Sequence, residues 1–213
     1  MANFSSIVLL SLYVSGSALL IASLIGLPIG ASLALKPPRA HKLIELIIYT
    51  GMGLPPVVVG LFVYLLISRS GPLGWLGLLF TPTAMIAAQV IIALPLVIGL
   101  TLTAVQSVDP QLRLQVRSLG ASPAQVMRTI LWEARLGVVA ALLTAYGRLA
   151  AEVGAVMLVG GNIQSSTRVL TTSIVLETRQ GNFELALALG GVLIVLTFMA
   201  NFFLVRLSGQ TRG

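Results

Sequence analysis

Residues 117–137, RSLGASPAQVMRTILWEARLG, form a polar interruption in a chain that is otherwise mostly apolar. Shortly before them, Asp109 is a residue type suited to cap the start of a helix. Gly120 suits the left-handed position that ends a helix. Ser122 follows at once, and Gln125 three residues later completes the signature of a capping box. The stretch therefore predicts two short helices joined by a tight glycine turn, the second of which continues into an apolar segment.

The composition places most of the chain in lipid. The sequence has 213 residues, of which 57% are hydrophobic and 9% are charged, and its mean hydropathy is +1.01. A soluble domain carries roughly 25% charged residues, so we expect a single membrane domain over residues 1–213. The chain has no cysteine, which excludes disulfides and thiol chemistry. The net charge of +7 favours the positive-inside bias and attraction to anionic lipid over nucleic-acid binding.

Five apolar segments are long enough to cross a hydrocarbon layer of about 30 Å, and each must be helical because unpaired backbone groups are costly in lipid. In the first segment, Gly26, Pro28 and Gly30 predict a tilt or kink, and the two glycines indicate close helix packing. In the second, Pro55 and Pro56 predict a break in the helix. The predicted spans are residues 7–35, 43–67, 82–105, 137–159 and 184–205, and the hairpin lies in the connection 106–135.

Lysine and arginine are unevenly divided between the two sides of these spans. The first connection, the third connection and the C-terminal tail share one side and carry nine of them, whereas the other two connections carry three. The positive-inside rule therefore predicts that the first side is cytoplasmic, with the N-terminus outside and the C-terminus inside. The nine are Lys36, Arg39, Lys42, Arg113, Arg117, Arg128, Arg135, Arg206 and Arg212, and the three are Arg69, Arg168 and Arg179.

The residues alone leave three interpretations of the hairpin open: an amphipathic element on the lipid surface, a DNA-binding helix-turn-helix, and a rigid lever docked into a cytoplasmic partner. Attachment to membrane spans at both ends disfavours DNA binding. Two capped helices that continue into a span favour the lever, because such helices resist bending and transmit displacement.

Residues 114–137, LQVRSLGASPAQVMRTILWEARLG, resemble the EAA loop in the permease subunits of ATP-binding-cassette importers. Residues 120–123 and 133–137 match that motif, whereas Leu114 stands in place of its acidic residue and Trp132 in place of its proline. The resemblance implies an all-α type I importer permease fold with five transmembrane helices and a cytoplasmic helix-turn-helix coupling loop. The residues that it assigns to ATPase coupling are Arg117, Leu119, Gly120, Ala121, Ser122, Pro123 and Glu133.

Residues 53–61, GLPPVVVGL, and 146–163, YGRLAAEVGAVMLVGGNI, resemble permeases for molybdate, sulfate and tungstate, and residues 160–186 are most similar to the tungstate type. The resemblance implies a non-enzymatic subunit of an ATP-driven tungstate importer in a prokaryotic inner membrane, with a molybdate or sulfate permease as the alternative. It implies three partners: a second permease copy, cytoplasmic subunits that hold ATP and Mg²⁺, and an extracytoplasmic oxyanion-binding protein. This chain itself would hold no cofactor. An ATP-independent channel or carrier and a membrane scaffold are the alternatives from other classes.

Arg148 and Glu152 lie within the predicted fourth span, four residues apart, so a continuous helix would place them on one face. A lone charge at the middle of a bilayer costs at least about 2.5–3.5 kcal/mol, and one interpretation is therefore a structural ion pair that faces other helices. The other interpretation places both residues, together with Pro55 and Pro56, on the translocation path or at the interface of two permease copies.

The fourth connection, residues 160–182, contains RVLTTSIVLETR, which predicts a short helix at the outer surface. Its polar residues suit either a solvated connector or a gate that contacts an oxyanion or its binding protein; they are Ser165, Ser166, Thr167 and Arg168. His41 is the one histidine in the sequence, so we expect neither a histidine-based metal site nor a catalytic triad.

Overall fold

The computed structural model describes residues 4–35 and 42–209 of the chain, and this part contains helices and no β-strand. The α-helices are α1 (Phe4–Ala34), α2 (Lys42–Met52), α3 (Pro56–Ile67), α4 (Pro82–Gln106), α5 (Pro110–Ser118), α6 (Pro123–Glu133), α7 (Arg135–Ala150), α8 (Gly154–Gly160), α9 (Leu170–Arg179) and α10 (Phe183–Gly209), with a short 3-10 helix at Gly74–Leu76. Four residues named above lie outside the described part of the chain: Lys36, Arg39, His41 and Arg212.

Three of these helices, α1, α4 and α10, are each long and apolar enough to cross a membrane. Two bent pairs bring the number of candidate spans to five: α2 with α3 at 97°, and α7 with α8 at 55°. The α5–α6 hairpin, residues 110–133, lies between the third and fourth candidate spans. This architecture agrees with the predicted all-α membrane protein of five spans and one helical hairpin.

The bend between α2 and α3 follows from two adjacent prolines. Pro55 has an extended backbone, with φ −64° and ψ 125°, and Pro56 stands in the first turn of α3. A proline at this position loses no helical hydrogen bond, because the first N–H groups of a helix have no partner within it. The expected break in the second span is therefore confirmed.

The fourth predicted span is also broken, which the sequence analysis did not expect. Its helix ends at Ala150 and a new helix starts at Gly154. The cause is the packing of α8 against α3, which is so close that a Cβ atom on Gly60 would lie 2.5 Å from the Cα of Ala155. A Cβ atom on Gly154 would likewise lie 2.5 Å from Val57 Cγ2. The chain turns away from the axis of α7, and α8 contacts α3 through Gly154, Ala155 and Gly60.

The first span packs against α4 through its two glycines. A Cβ atom on Gly30 would lie 2.6 Å from the carbonyl oxygen of Ile98, and one on Gly26 would lie 2.8 Å from Val97 Cγ1. Side chains at these positions would force α1 and α4 apart, so the interpretation of the glycine pair as a packing motif is confirmed. The helix α1 runs without interruption through Pro28.

Three apolar clusters of described residues hold the bundle together, and two of them position the hairpin and the bends. The larger one surrounds α4 and includes buried side chains from α1, α3, α7 and α8. The smaller one joins the hairpin to the ends of α1 and α4; its buried members are Ala31, Val105, Val126, Ile130 and Ala134. Because this smaller cluster combines residues of α6 with residues of α1 and α4, the hairpin packs directly against the bundle.

Candidate functional site

Both helices of the α5–α6 hairpin begin at the caps that the sequence predicted, but α6 ends at Glu133 and does not continue into α7, contrary to the expectation. Asp109 caps α5, and its Oδ1 accepts a hydrogen bond from the N–H of Gln111 at 2.8 Å. Ser122 caps α6: its Oγ accepts from the N–H of Gln125 at 3.4 Å, and Gln125 Oε1 accepts from the N–H of Ser122 at 2.7 Å. The predicted capping box is therefore present, and both helices start at fixed positions.

The turn between the two helices presents an apolar tip. Gly120 has a φ of +81°, the left-handed conformation that ends α5. Leu119, next to it, is 86% exposed. Arg117, Ser122 and Pro123 are also exposed, whereas Ala121 is half-buried. On the opposite side of α6 the side chains are packed into the bundle, so the hairpin has one fixed face and one free face.

Glu133 is not part of this tip. It is exposed at the last residue of α6, and ten residues of helix, about 15 Å, separate it from Pro123. The neighbouring Trp132 is also exposed, and the guanidinium of Arg135 lies 5.3 Å from its ring centre. Six of the seven residues predicted to couple to the ATPase thus lie at the turn, and the seventh lies at the far end of α6.

Arg148 and Glu152 do not form the ion pair that one interpretation expected. Arg148 is exposed on α7, whereas Glu152 is 7% exposed and lies beyond the end of that helix. Glu152 Oε1 accepts a hydrogen bond from the N–H of Ala155 at 2.9 Å. The break after Ala150 is the reason, because the spacing of four brings two residues onto one face only in a continuous helix.

Glu152 instead ties three helices together at the bend. Its carboxylate caps the first turn of α8, and its backbone carbonyl accepts a hydrogen bond from Thr171 Oγ1 of α9 at 3.0 Å. The contribution of Thr171 could not be predicted, because no pattern links residues in two separate helices of this chain.

A small polar cavity lies beside this bend, inside the bundle. Its volume is about 20 Å³, and its lining includes Ser15, Gln89, Tyr146 and Glu152. One water molecule needs roughly 10–15 Å³ of such volume, so the cavity is too small for a tetrahedral oxyanion. This cavity is therefore not a passage for such an anion.

The two prolines of the second span lie at the surface of the bend. Pro55 is exposed and Pro56 is half-buried. The structure does not bring them into contact with Arg148, which lies in another span. The role predicted for these prolines remains a prediction.

The outer connection divides into an exposed and a buried part. Ser165 and Ser166 are exposed, and Ser165 has a φ of +63°. Thr167 is fully buried: its hydroxyl donates to the carbonyl of Gly160 and accepts from the N–H of Ile163. Its position does not fit the predicted contact with an oxyanion, because the hydroxyl already holds the turn together.

The predicted short helix of this connection is α9, but it is not confined to the surface. Its first turn is buried among α1 and α10, with Leu170, Thr171, Thr172 and Ser173 all inaccessible to solvent or nearly so. Arg168, just before it, is half-buried, and its Nη2 donates to the carbonyl of Asn162 at 3.4 Å. Among the described residues, no group of three or more His, Cys, Asp or Glu side chains could hold a metal ion.

Arg113 makes a long-range contact that the sequence analysis missed. Its Nη2 donates a hydrogen bond to the carbonyl oxygen of Leu35, 78 residues away, at the end of α1. Burial, and secondarily the charge of Arg117, lowers the pKa of the Arg113 guanidinium from its ordinary value. Nothing in the sequence indicates this contact beyond a half-apolar helix on which Arg113 lies beside Leu112 and Val116.

Comparison with known proteins places the chain among membrane transport components. Residues 26–213 match the family described as binding-protein-dependent transport system inner membrane component. The chain is 45% identical to a probable anion ABC transporter permease protein of Haloferax volcanii, over 98% of this chain and 92% of that protein. It is 39% identical to the tungstate uptake system permease protein TupB of Peptoclostridium acidaminophilum, over 92% of this chain and 86% of that protein.

A solved structure supports the fold. The chain is similar to a subunit of a bacterial ABC transporter that imports the acidic polysaccharide alginate, with a TM-score of 0.76 and 21% identity. The similarity covers all of this chain and 81% of that subunit. At this level of identity the comparison concerns the fold, which is that of type I importer permeases, as the sequence predicted.

Proposed function

The chain belongs to the binding-protein-dependent transport system inner membrane component family, and from that premise we propose that it is the permease subunit of an ATP-driven importer for tungstate. As a member of this family it is a multi-pass inner-membrane transport subunit and not an enzyme, and its transport system includes an ATPase and a substrate-binding protein. The substrate proposal is supported by 39% identity to a tungstate permease over 92% of the chain. Molybdate and sulfate, which are also tetrahedral dianions, are the alternatives.

The observation that carries the proposal is the free face of the α5–α6 hairpin. Leu119 is 86% exposed at a turn whose flanking helices are both capped and packed onto the bundle. A large apolar side chain fixed in this way is suited to a pocket on another protein, because burial of a leucine contributes about 1.5–3 kcal/mol. We assign this tip to the ATPase, which holds ATP and Mg²⁺, and this chain holds neither.

The proposed translocation path lies outside the single copy, where Arg148 is exposed. A charged side chain on a membrane span normally faces a protein partner or water, because exposure to lipid is costly. A second copy of the chain, related by a two-fold axis, would supply that environment. Arg148 then faces the path between the two copies and attracts a dianion into it, while Glu152 supports the bend from within.

The orientation that we propose follows from the same charges. The hairpin carries Arg113, Arg117 and Arg128, and the positive-inside bias assigns it to the cytoplasm. The N-terminus is then outside and the C-terminus inside. On this orientation Ser165, Ser166 and Arg168 face the extracytoplasmic binding protein, which delivers the anion.

The proposal is tested by transport in proteoliposomes that contain the permease, its ATPase and its binding protein. We expect uptake of tungstate that requires ATP, and inhibition by unlabelled tungstate at lower concentrations than by molybdate or sulfate. Liposomes that contain the permease alone are the matched control, and we expect no uptake by them. Equal inhibition by sulfate would contradict the substrate, and uptake without ATP or the ATPase would instead indicate a channel or carrier.

A further inference from the structure

Arg113 connects the α5–α6 hairpin to the first span through a single directional contact. It lies in the middle of α5, and its Nη2 donates to the carbonyl oxygen of Leu35, the residue after the end of α1. The last carbonyl groups of a helix have no partner within it and carry a partial negative charge. A guanidinium is a strong donor for such a carbonyl, because the bond is assisted by its charge.

The other contacts between α5 and the described part of the bundle are apolar. Leu112 and Val116, on either side of Arg113, pack against the cluster that contains Ala31 and Val105. Apolar contacts resist separation but do not fix direction, so they permit one surface to slide over the other. The hydrogen bond from Arg113 is the element of this interface that fixes the position of α5 along the axis of α1.

On the N-terminal side of Leu35, the helix α1 packs tightly against α4. At Gly30 the two helices approach so closely that a Cβ atom would lie 2.6 Å from the carbonyl oxygen of Ile98. Close-packed helices resist deformation and transmit strain. A displacement applied to the end of α1 therefore reaches α4, which lies at the centre of the larger apolar cluster.

We propose that Arg113 is the positioning residue that ties the α5–α6 hairpin to the first span, so that displacement of the hairpin by the ATPase moves α1 and α4 with it. This inference rests on the proposed function, because it presupposes an ATPase that moves the hairpin. It assigns to Arg113 a role distinct from that of the exposed tip: the tip holds the ATPase, and Arg113 passes the movement on.

The first test measures the number of tungstate ions transported per ATP hydrolysed by the reconstituted complex. Arg113→Met keeps an unbranched apolar stem and removes the donors, and Arg113→Lys restores a charged donor. We expect Arg113→Met to retain the ATPase and to hydrolyse ATP, but to transport roughly tenfold fewer ions per ATP, as for loss of a charged hydrogen bond. Arg113→Lys should recover part of the ratio, and the control Arg128→Met, at an exposed arginine of α6, should leave it unchanged.

An unchanged ratio in Arg113→Met would overturn the proposal. So would a proportional loss of ATP hydrolysis and transport that accompanies loss of the ATPase, because this result would assign Arg113 to docking alone.

The second test does not depend on the identity of the substrate or on the stability of a variant at Arg113. The chain has no cysteine, so spin labels at Ile29→Cys and Gln111→Cys report the distance between α1 and α5 in a complex in which only one of the two copies is labelled. We expect one narrow distance distribution that is the same without nucleotide and with a non-hydrolysable ATP analogue. A shift of several ångströms between the two states would overturn the proposal, even if tungstate proves not to be the substrate.

Discussion

At the scale of single residues, the carboxylate of Glu152 accepts a hydrogen bond from the first turn of α8, at the point where the fourth span bends. Glu152 lies two residues after the end of α7 and caps α8, and its side chain is buried among the helices that meet at the bend. A buried carboxylate is costly unless its oxygens accept hydrogen bonds, and here the N–H of Ala155 supplies one. The residue therefore acts first on the geometry of the chain, whereas Arg148, four positions before it, is directed outward.

We expect Glu152→Ala to destabilise the permease by about 1–3 kcal/mol, because the buried N–H of Ala155 would lose its acceptor. Glu152→Gln should cost less, since its amide oxygen can take the same hydrogen bond. Thermal unfolding of the purified protein in detergent measures both, with Glu184→Ala, at an exposed position in the first turn of α10, as the control. Equal effects of Glu152→Ala and Arg148→Ala, relieved in the double variant, would instead indicate the ion pair that the structure lacks.

At the scale of elements, the α5–α6 hairpin is the part that the sequence predicts best. Its caps, its glycine turn and its proline at the start of each helix are local signals, and each depends on residues within four positions of one another. Each of these residues stabilises the end of its own helix, whatever the rest of the fold. For this reason the starts of α5 and α6 and the turn between them follow from the sequence, whereas the end of α6 at Glu133 was not predicted.

The turn itself gives a prediction for ATPase binding. Nothing lies within 4 Å of a Cβ atom built on Gly120, so a side chain there would meet no clash and would act only through the φ of +81°. We expect Gly120→Val to distort the tip and to weaken co-purification of the ATPase, because a β-branched residue strongly disfavours this conformation. Gly120→Asn should retain the ATPase, since asparagine tolerates it. Equal retention by both variants would contradict the role of the turn.

The bend between α7 and α8 is an element that the sequence could not predict. Residues 151–153 contain neither proline nor glycine, and their apolar neighbours favour one continuous span. What breaks the helix is the approach of α8 to α3, where Gly60 and Ala155 meet. This contact joins residues about 95 positions apart, so it depends on the folded bundle and leaves no local signal. The contact between Arg113 and Leu35, 78 positions apart, escaped prediction for the same reason.

At the scale of the whole molecule, the proposed path predicts that the surface around Arg148 is not covered by lipid. Many large apolar side chains of α10 are exposed, among them Leu187, Ile194 and Phe198, and they suit the lipid. Arg148 lies on the surface of α7, where a charge in lipid would be costly. The two surfaces should therefore differ in their access to water once the transporter is assembled.

We expect Arg148→Cys in the assembled complex to react with a charged, membrane-impermeant thiol reagent, or to form a disulfide with the second copy. The control Ile194→Cys, at an exposed apolar position of α10, should react only with a membrane-permeant reagent. The chain has no other thiol, so the modified fraction can be read directly by mass spectrometry. Identical behaviour of the two variants would place Arg148 against lipid and would contradict its assignment to the path.

The right-angled junction of α2 and α3 limits how this part of the chain can cross a bilayer. With 11 and 12 residues, each helix reaches only about 16–18 Å, and a pair bent by 97° cannot direct both lengths along the membrane normal. The N–H groups of Gly53 and Leu54 donate hydrogen bonds to the carbonyl oxygens of Thr50 and Gly51, so the junction keeps its own donors paired, and we expect the lipid to thin at this edge or a neighbouring protein to fill the space. If a second copy fills it, the stability of an isolated copy in the bilayer should depend on its concentration.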